Sequence, residues 1–231
     1  MRAYEQDALD AYERAGERYD RQTAAFKDRI AYPDIAAMLT ERLGSLAGKT
    51  LLDVGCGSGG LVEALEKTGA ICRGIDLSPS FIARGTARGL PLMEGSMLAL
   101  PYADQSFDAA VSFHSLNYLP YEEQGAAVAE QWRVLRPGGT VLAACFFALN
   151  EVPGGLTFST LGEAFRLYPR PKESLEKLFG ACGFLNARAL PVTAPRSALT
   201  SLLETARDED EVAILRMASV QPYALIVTGT K

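Results

Sequence analysis

The stretch Leu51-Leu52-Asp53-Val54-Gly55-Cys56-Gly57-Ser58-Gly59-Gly60 constrains the fold more than any other part of the chain, because an apolar run ends in an acid and then in four glycines. Such a run reads as a buried strand that turns sharply into a helix. Glycine reaches positive φ without strain and lacks the Cβ that would hold a ligand off the main chain, so the turn suits a ligand lying against bare backbone. The spacing Gly55-x-Gly57-x-x-Gly60 satisfies the dinucleotide-binding fingerprint, and Asp76 follows at about the distance expected of an acid that binds ribose hydroxyls. A tight turn with no ligand is the competing reading.

Around that turn, short apolar runs at 50–54, 71–75, 90–93, 109–113 and 140–147 alternate with helix-like stretches. This alternation predicts βαβ units and a mostly parallel sheet. Ser78 is placed to cap a helix starting at Pro79, and a helix over 122–135 is stopped by Pro137-Gly138-Gly139. Residues 3–30 read as one or two helices, with Tyr4, Tyr12 and Tyr19 near one face, and Pro33 opens another that Gly44 or Gly48 ends. Beyond 147 the pattern predicts a Gly- and Pro-containing connection over 150–171, a helix over 172–182, a strand near 184–190, a helix over 197–217 and a last strand over 223–230. Long connections of this kind often act as lids. The run Arg207-Asp208-Glu209-Asp210-Glu211 reads as a solvated helix face.

Of the 231 residues 48% are hydrophobic and 22% charged, enough to bury a sizeable single-domain core. A net charge of −5 argues against a nucleic-acid partner, and small molecules fit better. The four cysteines lack metal-ligand or disulfide spacing, so no metal is expected. No apolar run approaches a membrane span, and the expected location is cytoplasmic.

With Asp53 two residues before Gly55, the loop resembles Asp-x-Gly-x-Gly-x-Gly, the first motif of the class I S-adenosylmethionine-dependent methyltransferases, of the small-molecule type that includes ubiquinone, menaquinone and natural-product enzymes. Further motifs follow in order: Gly74-Ile75-Asp76-Leu77-Ser78, Gly95-Ser96, Leu100-Pro101-Tyr102, Ser106-Phe107-Asp108 and Leu135-Arg136-Pro137-Gly138-Gly139. An NAD-dependent oxidoreductase would account for the glycines and Asp76 but not for the later motifs. The resemblance implies an α/β, Rossmann-like, doubly wound fold: a mostly parallel seven-stranded sheet with an antiparallel last strand and an N-terminal helical cap. One domain is expected over 1–231, with the cap at 1–47, the cofactor core at 48–147 and a lid insertion with C-terminal strands at 148–231.

The resemblance also implies roles. S-adenosyl-L-methionine is the expected cofactor, with Asp53, Gly55, Gly57 and Gly59 at its methionine end, Tyr19 and Phe113 against it, Asp76 on the ribose, and Leu77, Ser96 and Met97 around the adenine. The family commonly has an aspartate where this chain has Ser96, and a histidine pair where it has Asn117 and Tyr118. His114, the one histidine, follows the fourth strand and is the expected catalytic base, or else bonds backbone or cofactor. The expected reaction is methyl transfer to an oxygen or nitrogen of a partly apolar small molecule. Carbon methylation of a quinone precursor and a non-catalytic cofactor-binding subunit are the alternatives. A homodimer is compatible with either.

Overall fold

The computed structural model describes residues 2–146, 148–160, 163–206 and 224–231. Among these residues a seven-stranded sheet has the order β3-β2-β1-β4-β5-β9-β8, with β1 at Thr50–Val54, β2 at Ile71–Asp76, β3 at Leu92–Glu94, β4 at Phe107–Phe113, β5 at Leu135–Cys145, β8 at Leu185–Val192 and β9 at Ala224–Thr230. Strands β1 to β5 pair in parallel, while the last strand, β9, runs antiparallel to both β5 and β8, in keeping with the antiparallel last strand that the resemblance implies. The chain starts at β1, crosses to β2 and β3 on one side, then returns to β4 on the other. That reversal opens a crevice beyond the carboxyl ends of β1 and β4.

Alternation along the strands explains why both faces are covered. Leu52 and Ala110 point to one face, where Ala127 and Val128 of α5 (Tyr121–Val134) and Leu175 and Phe179 of α6 (Lys172–Ala181) meet them. Leu51, Ala109 and Val111 point to the other, against Ile35 and Leu39 of α2 (Tyr32–Leu43) and Leu61 and Leu65 of α3 (Gly60–Glu66). Central strands buried on both faces read as continuous apolar runs, and Val141 to Cys145 is such a run. Ser78 caps α4 (Pro79–Thr86), its Oγ accepting from the Phe81 amide at 3.1 Å.

The Ser106-Phe107-Asp108 motif is architectural. Asp108 accepts hydrogen bonds from the Thr50 amide (2.7 Å) and hydroxyl (3.0 Å) and pairs with Arg136 at 3.0 Å. It therefore clamps the starts of β1, β4 and β5 at the end of the sheet away from the crevice. Burial would raise its carboxyl pKa, but these bonds outweigh that and hold it below the ordinary value.

The N-terminal residues form α1 (Ala3–Phe26), broken by non-helical geometry at Gly16, and then a π-helical turn (Lys27–Ala31) leading into α2. Two expectations need correction. Residues 150–171 are not a structureless connection: β6 (Leu156–Thr160) and β7 (Glu163–Leu167) form an antiparallel hairpin that pairs Phe158 with Phe165. Its β-favouring alternation, Phe165 and Leu167 facing in and Ala164 and Arg166 facing out, is short and flanked by glycine and proline, which hides it. The helix predicted over 197–217 is seen as α7 (Arg196–Leu203), and the charge run at 207–211 lies outside the described residues. All four cysteines are free.

Replacing Asp108 with Ala leaves the Thr50 amide without its acceptor and should cost about 1 to 3 kcal/mol of stability, read as a lowered urea midpoint. An unchanged midpoint would show that the clamp is dispensable.

Candidate functional site

A cavity of about 330 Å³ lies in the crevice, floored by Gly55, Cys56 and Gly57, walled by Asp76, Leu77, Met97, Phe113 and His114, and roofed by Tyr12, Tyr19 and Lys27. The glycine loop hangs from β2: the amides of Gly55 and Cys56 both donate to the Ile75 carbonyl, at 2.8 and 3.0 Å. Gly55 has φ +78°, and a Cβ there would overlap the side chain of Ser115, whose Oγ donates to the Val54 carbonyl at 2.7 Å. Gly57 has φ +54°, with open space where its Cβ would stand, and its amide donates to Asp76 Oδ2 at 2.8 Å.

Asp76 also accepts from the Ser78 amide at 2.9 Å, through Oδ1. It is therefore not the helix cap, a role Ser78 holds. A carboxylate offers about four acceptor positions, and two here are committed, which leaves Asp76 able to take further donors from the cavity.

Asp53, at 3% exposure, sits at the end of β1, and its Oδ1 has no hydrogen-bond partner among the described residues. Burial, then the neighbouring Asp76, pushes its pKa up to about 8, with Lys27 opposing. His114 has φ +57°, an uncommon conformation for a side-chain-bearing residue, fixed because its amide donates to the Ala144 carbonyl at 2.8 Å. Its ring stacks on Phe146, with centroids 4.3 Å apart, and Nδ1 is likewise without a partner among the described residues. Burial, then the charge of Lys27, pulls its pKa down to about 3. The imidazole is neutral at physiological pH.

The roof is held by carboxylates of α1. Glu13 accepts from Ser78 Oγ at 2.6 Å, Asp20 from Arg84 at 3.1 Å, and Glu5 from Ser96 Oγ at 2.8 Å. Of the residues singled out from sequence, Tyr19, Asp53, Gly55, Gly57, Asp76, Leu77, Met97, Phe113 and His114 all line the cavity. Gly59 and Ser96 do not: a Cβ on Gly59 would meet Leu90 and Leu92 of the core, and the Ser96 hydroxyl is committed to Glu5 and to the Leu98 amide. Asn117, with Oδ1 on the Phe146 amide, braces the wall. Sequence reasoning missed Tyr12, Tyr118 and Lys27. The hydroxyls of Tyr12 and Tyr118 are hydrogen-bonded to each other beside Phe165 of the hairpin. Lys27 belongs to the charged triplet Lys27-Asp28-Arg29 between Ala24-Ala25-Phe26 and Ile30-Ala31, a pattern that singles out none of the three.

The family profile described as a methyltransferase domain matches residues 52–143, the segment that builds the floor and walls of this cavity. Over those residues the chain is similar to a methyltransferase domain. Relatives of the methyltransferase core include a demethylmenaquinone methyltransferase of Corynebacterium kroppenstedtii, 36% identical over 122 residues, covering 52% of this chain and 50% of that protein. A ubiquinone biosynthesis O-methyltransferase of Nitrosococcus oceani is 37% identical over 135 residues, 55% of each. The chain thus spans about half the length of these relatives. Among solved structures, magnesium protoporphyrin IX methyltransferase from Synechocystis, with bound SAM, superimposes at a TM-score of 0.69 and 16% identity, covering 100% of this chain and 98% of that one. That likeness concerns the fold. Among the described residues no helix is long and apolar enough to cross a membrane, and no cluster of potential metal ligands is present.

His114 and Asp53 make opposite contributions to the pH dependence of stability. The unfolded histidine binds a proton near pH 6.5 and the folded one only near 3, so acidification between these values favours the unfolded chain. Asp53 is raised, so its contribution is complete below its unfolded value near 3.9 and is lost as pH rises through about 8. Urea unfolding of wild type and His114→Gln should show the wild type losing at most about 3 kcal/mol relative to the variant between pH 6.5 and 4. A difference that does not change with pH would contradict this electrostatic picture.

Proposed function

We propose that this chain transfers a methyl group from S-adenosylmethionine to an oxygen or nitrogen atom of a partly apolar small molecule. The observation that carries the reading is a neutral His114, its Nδ1 unpartnered among the described residues, at the rim of a glycine-floored cavity at the sheet's switch point.

The residues suit the cofactor. Gly55 and Gly57 offer bare backbone to its methionine end, with Tyr19 and Phe113 alongside. Asp76 has acceptor positions left for vicinal ribose hydroxyls, and Leu77 and Met97 supply apolar flanks for a purine. When bound, S-adenosylmethionine supplies a methyl already activated by the sulfonium charge.

What remains for the protein is orientation, exclusion of water and removal of a proton. Holding two reactants in line is worth roughly 7 to 11 kcal/mol. Tyr12 and Tyr19 of α1 cover the cavity, and Phe146, Phe158 and Phe165 cluster behind Tyr12 and Tyr118 of its lining, an apolar surround that suits an acceptor with an apolar body. His114 accepts the acceptor's proton at Nδ1; with burial and Lys27 holding its pKa at about 3 it is a weak base, which sets its contribution at the lower end of the usual range, about 10²-fold.

The names of the quinone-pathway relatives support a quinone precursor as acceptor; the second reading is its methylation at carbon, against which stands the name of the ubiquinone-pathway relative, an O-methyltransferase. Methyl release from labelled S-adenosylmethionine with phenolic, amine and quinol acceptors separates the two.

Calorimetry should show saturable binding of S-adenosylhomocysteine to the wild type, and its absence would sink the proposal. In His114→Ala, turnover should fall about 10²-fold while the affinity for S-adenosylhomocysteine stays within a few-fold. Equal turnover in the variant would remove His114 from the mechanism.

A further inference from the structure

Tyr12 of α1 and Tyr118, which ends the short turn after His114, meet at the cavity lining, Tyr12 Oη donating to Tyr118 Oη. Their surround is aromatic: between ring centroids Tyr12 is 4.9 Å from Phe165, 5.5 Å from Phe81 and 5.1 Å from Tyr19, and Tyr118 is 6.0 Å from Phe165. Hydroxyls taken from water into such a place cost free energy that two phenylalanines of nearly the same volume would not. Other contacts already fasten α1, with Glu13 on Ser78, Asp20 on Arg84, Glu5 on Ser96 and Arg14 on Glu163. Two hydroxyls carry two protons and here share one hydrogen bond. With Tyr12 donating, the Tyr118 proton has no acceptor among the described residues.

The segment that carries this donor is braced along its length. The His114 amide donates to the Ala144 carbonyl at 2.8 Å and Ser115 Oγ to the Val54 carbonyl at 2.7 Å. Asn117 accepts twice, from the Phe146 amide at 2.8 Å through Oδ1 and from the Tyr168 amide at 2.7 Å through its carbonyl. The imidazole of His114 and the phenol of Tyr118 therefore stand on one fixed stretch, and both line the cavity. A few polar groups placed in this way among apolar walls set the orientation and identity of a small ligand.

We infer that the Tyr12–Tyr118 pair is a specificity site for the methyl acceptor, where the Tyr118 hydroxyl donates to a carbonyl oxygen that the acceptor carries in addition to the atom being methylated. The inference rests on the functional reading above and adds a second polar group to its acceptor. A carbonyl is the complement because it takes the proton and brings no donor of its own that would need a partner beside Phe165. Tyr12 is a positioning residue, which by donating to Tyr118 leaves the remaining proton to the cavity.

The test is calorimetry on the full chain saturated with S-adenosylhomocysteine, titrated with the ortho, meta and para hydroxyacetophenones. Each is compared with the ethylphenol of the same substitution, which keeps the ring and the phenol but lacks the carbonyl. For at least one isomer the wild type should bind the ketone about tenfold or more tighter, the range that one otherwise unpaired donor supports. Tyr118→Phe should erase that preference by weakening the ketone, with the ethylphenol staying within about twofold of its wild-type affinity. Tyr12→Phe, which keeps the Tyr118 hydroxyl, should reduce the preference without erasing it. S-adenosylhomocysteine should bind all three proteins within about threefold of one another, which separates loss of a donor from collapse of the roof. Should Tyr118→Phe fail to melt cooperatively, Tyr118→Leu takes its place with the same expected loss.

A preference that the wild type lacks for every isomer, or one that survives in Tyr118→Phe, overturns the assignment. Equal weakening of ketone and ethylphenol in that variant overturns it as well, by making the phenol a packing group. Failure of the wild type to bind S-adenosylhomocysteine is a separate result, which sinks the functional reading itself.

Discussion

Two backbone amides from different loops, those of Gly57 and Ser78, converge on the single carboxylate of Asp76. Through them the turn after β1 and the turn after β2 are fixed to each other, and the cavity floor acquires its shape. The tie extends outward: Ser78 caps α4 through Phe81 and simultaneously donates to Glu13 of α1. Burial pushes the Asp76 carboxyl up, and the bonds from Ser78 and Gly57 pull it back. One acid thus couples sheet, helix cap and roof, which makes it the constraint on which the site's geometry depends.

Within that frame the cavity is a place of strong mutual fields. Lys27 opposes protonation of His114 and favours ionisation of Asp53, while Asp76 acts on Asp53 in the other direction. Interactions at this range are strengthened by exclusion of water. Any ligand bearing charge alters each of these protonation equilibria on entering. The site is best described as a coupled set of groups, so that a substitution at one of them is felt at the others.

Much of this was legible in the sequence because the motifs report backbone constraints. The glycine loop, Asp76 and the Ser78-Pro79 cap each follow from local conformational rules, and all stand where the spacing predicts. Ser106-Phe107-Asp108 was legible as a motif, but its role was not: the acid serves the far end of the sheet. What stayed hidden depends on distant segments meeting. Glu5 reaches Ser96 across 91 positions and Tyr12 reaches Tyr118 across 106, and no local pattern encodes such pairs. The hairpin of β6 and β7 was masked by the glycines and prolines around it. Lys27 was hidden among the neighbouring charges Asp28 and Arg29.

Helix α1 has two neighbours that chain order alone would keep apart. Its Arg14 pairs with Glu163 of β7 at 2.8 Å, and its Tyr12 packs on Phe165, while its Tyr19 lines the cavity above the glycine floor. Under the proposed function, α1 would roof the cofactor and adjoin the acceptor at once. In an evolving lineage under that function, a change in the hairpin that admitted a new acceptor would also shift the element over the cofactor, and the two properties would drift together. Diversification of such an enzyme would leave correlated substitutions in α1 and β7, and a hairpin grafted from a relative would need its own first helix.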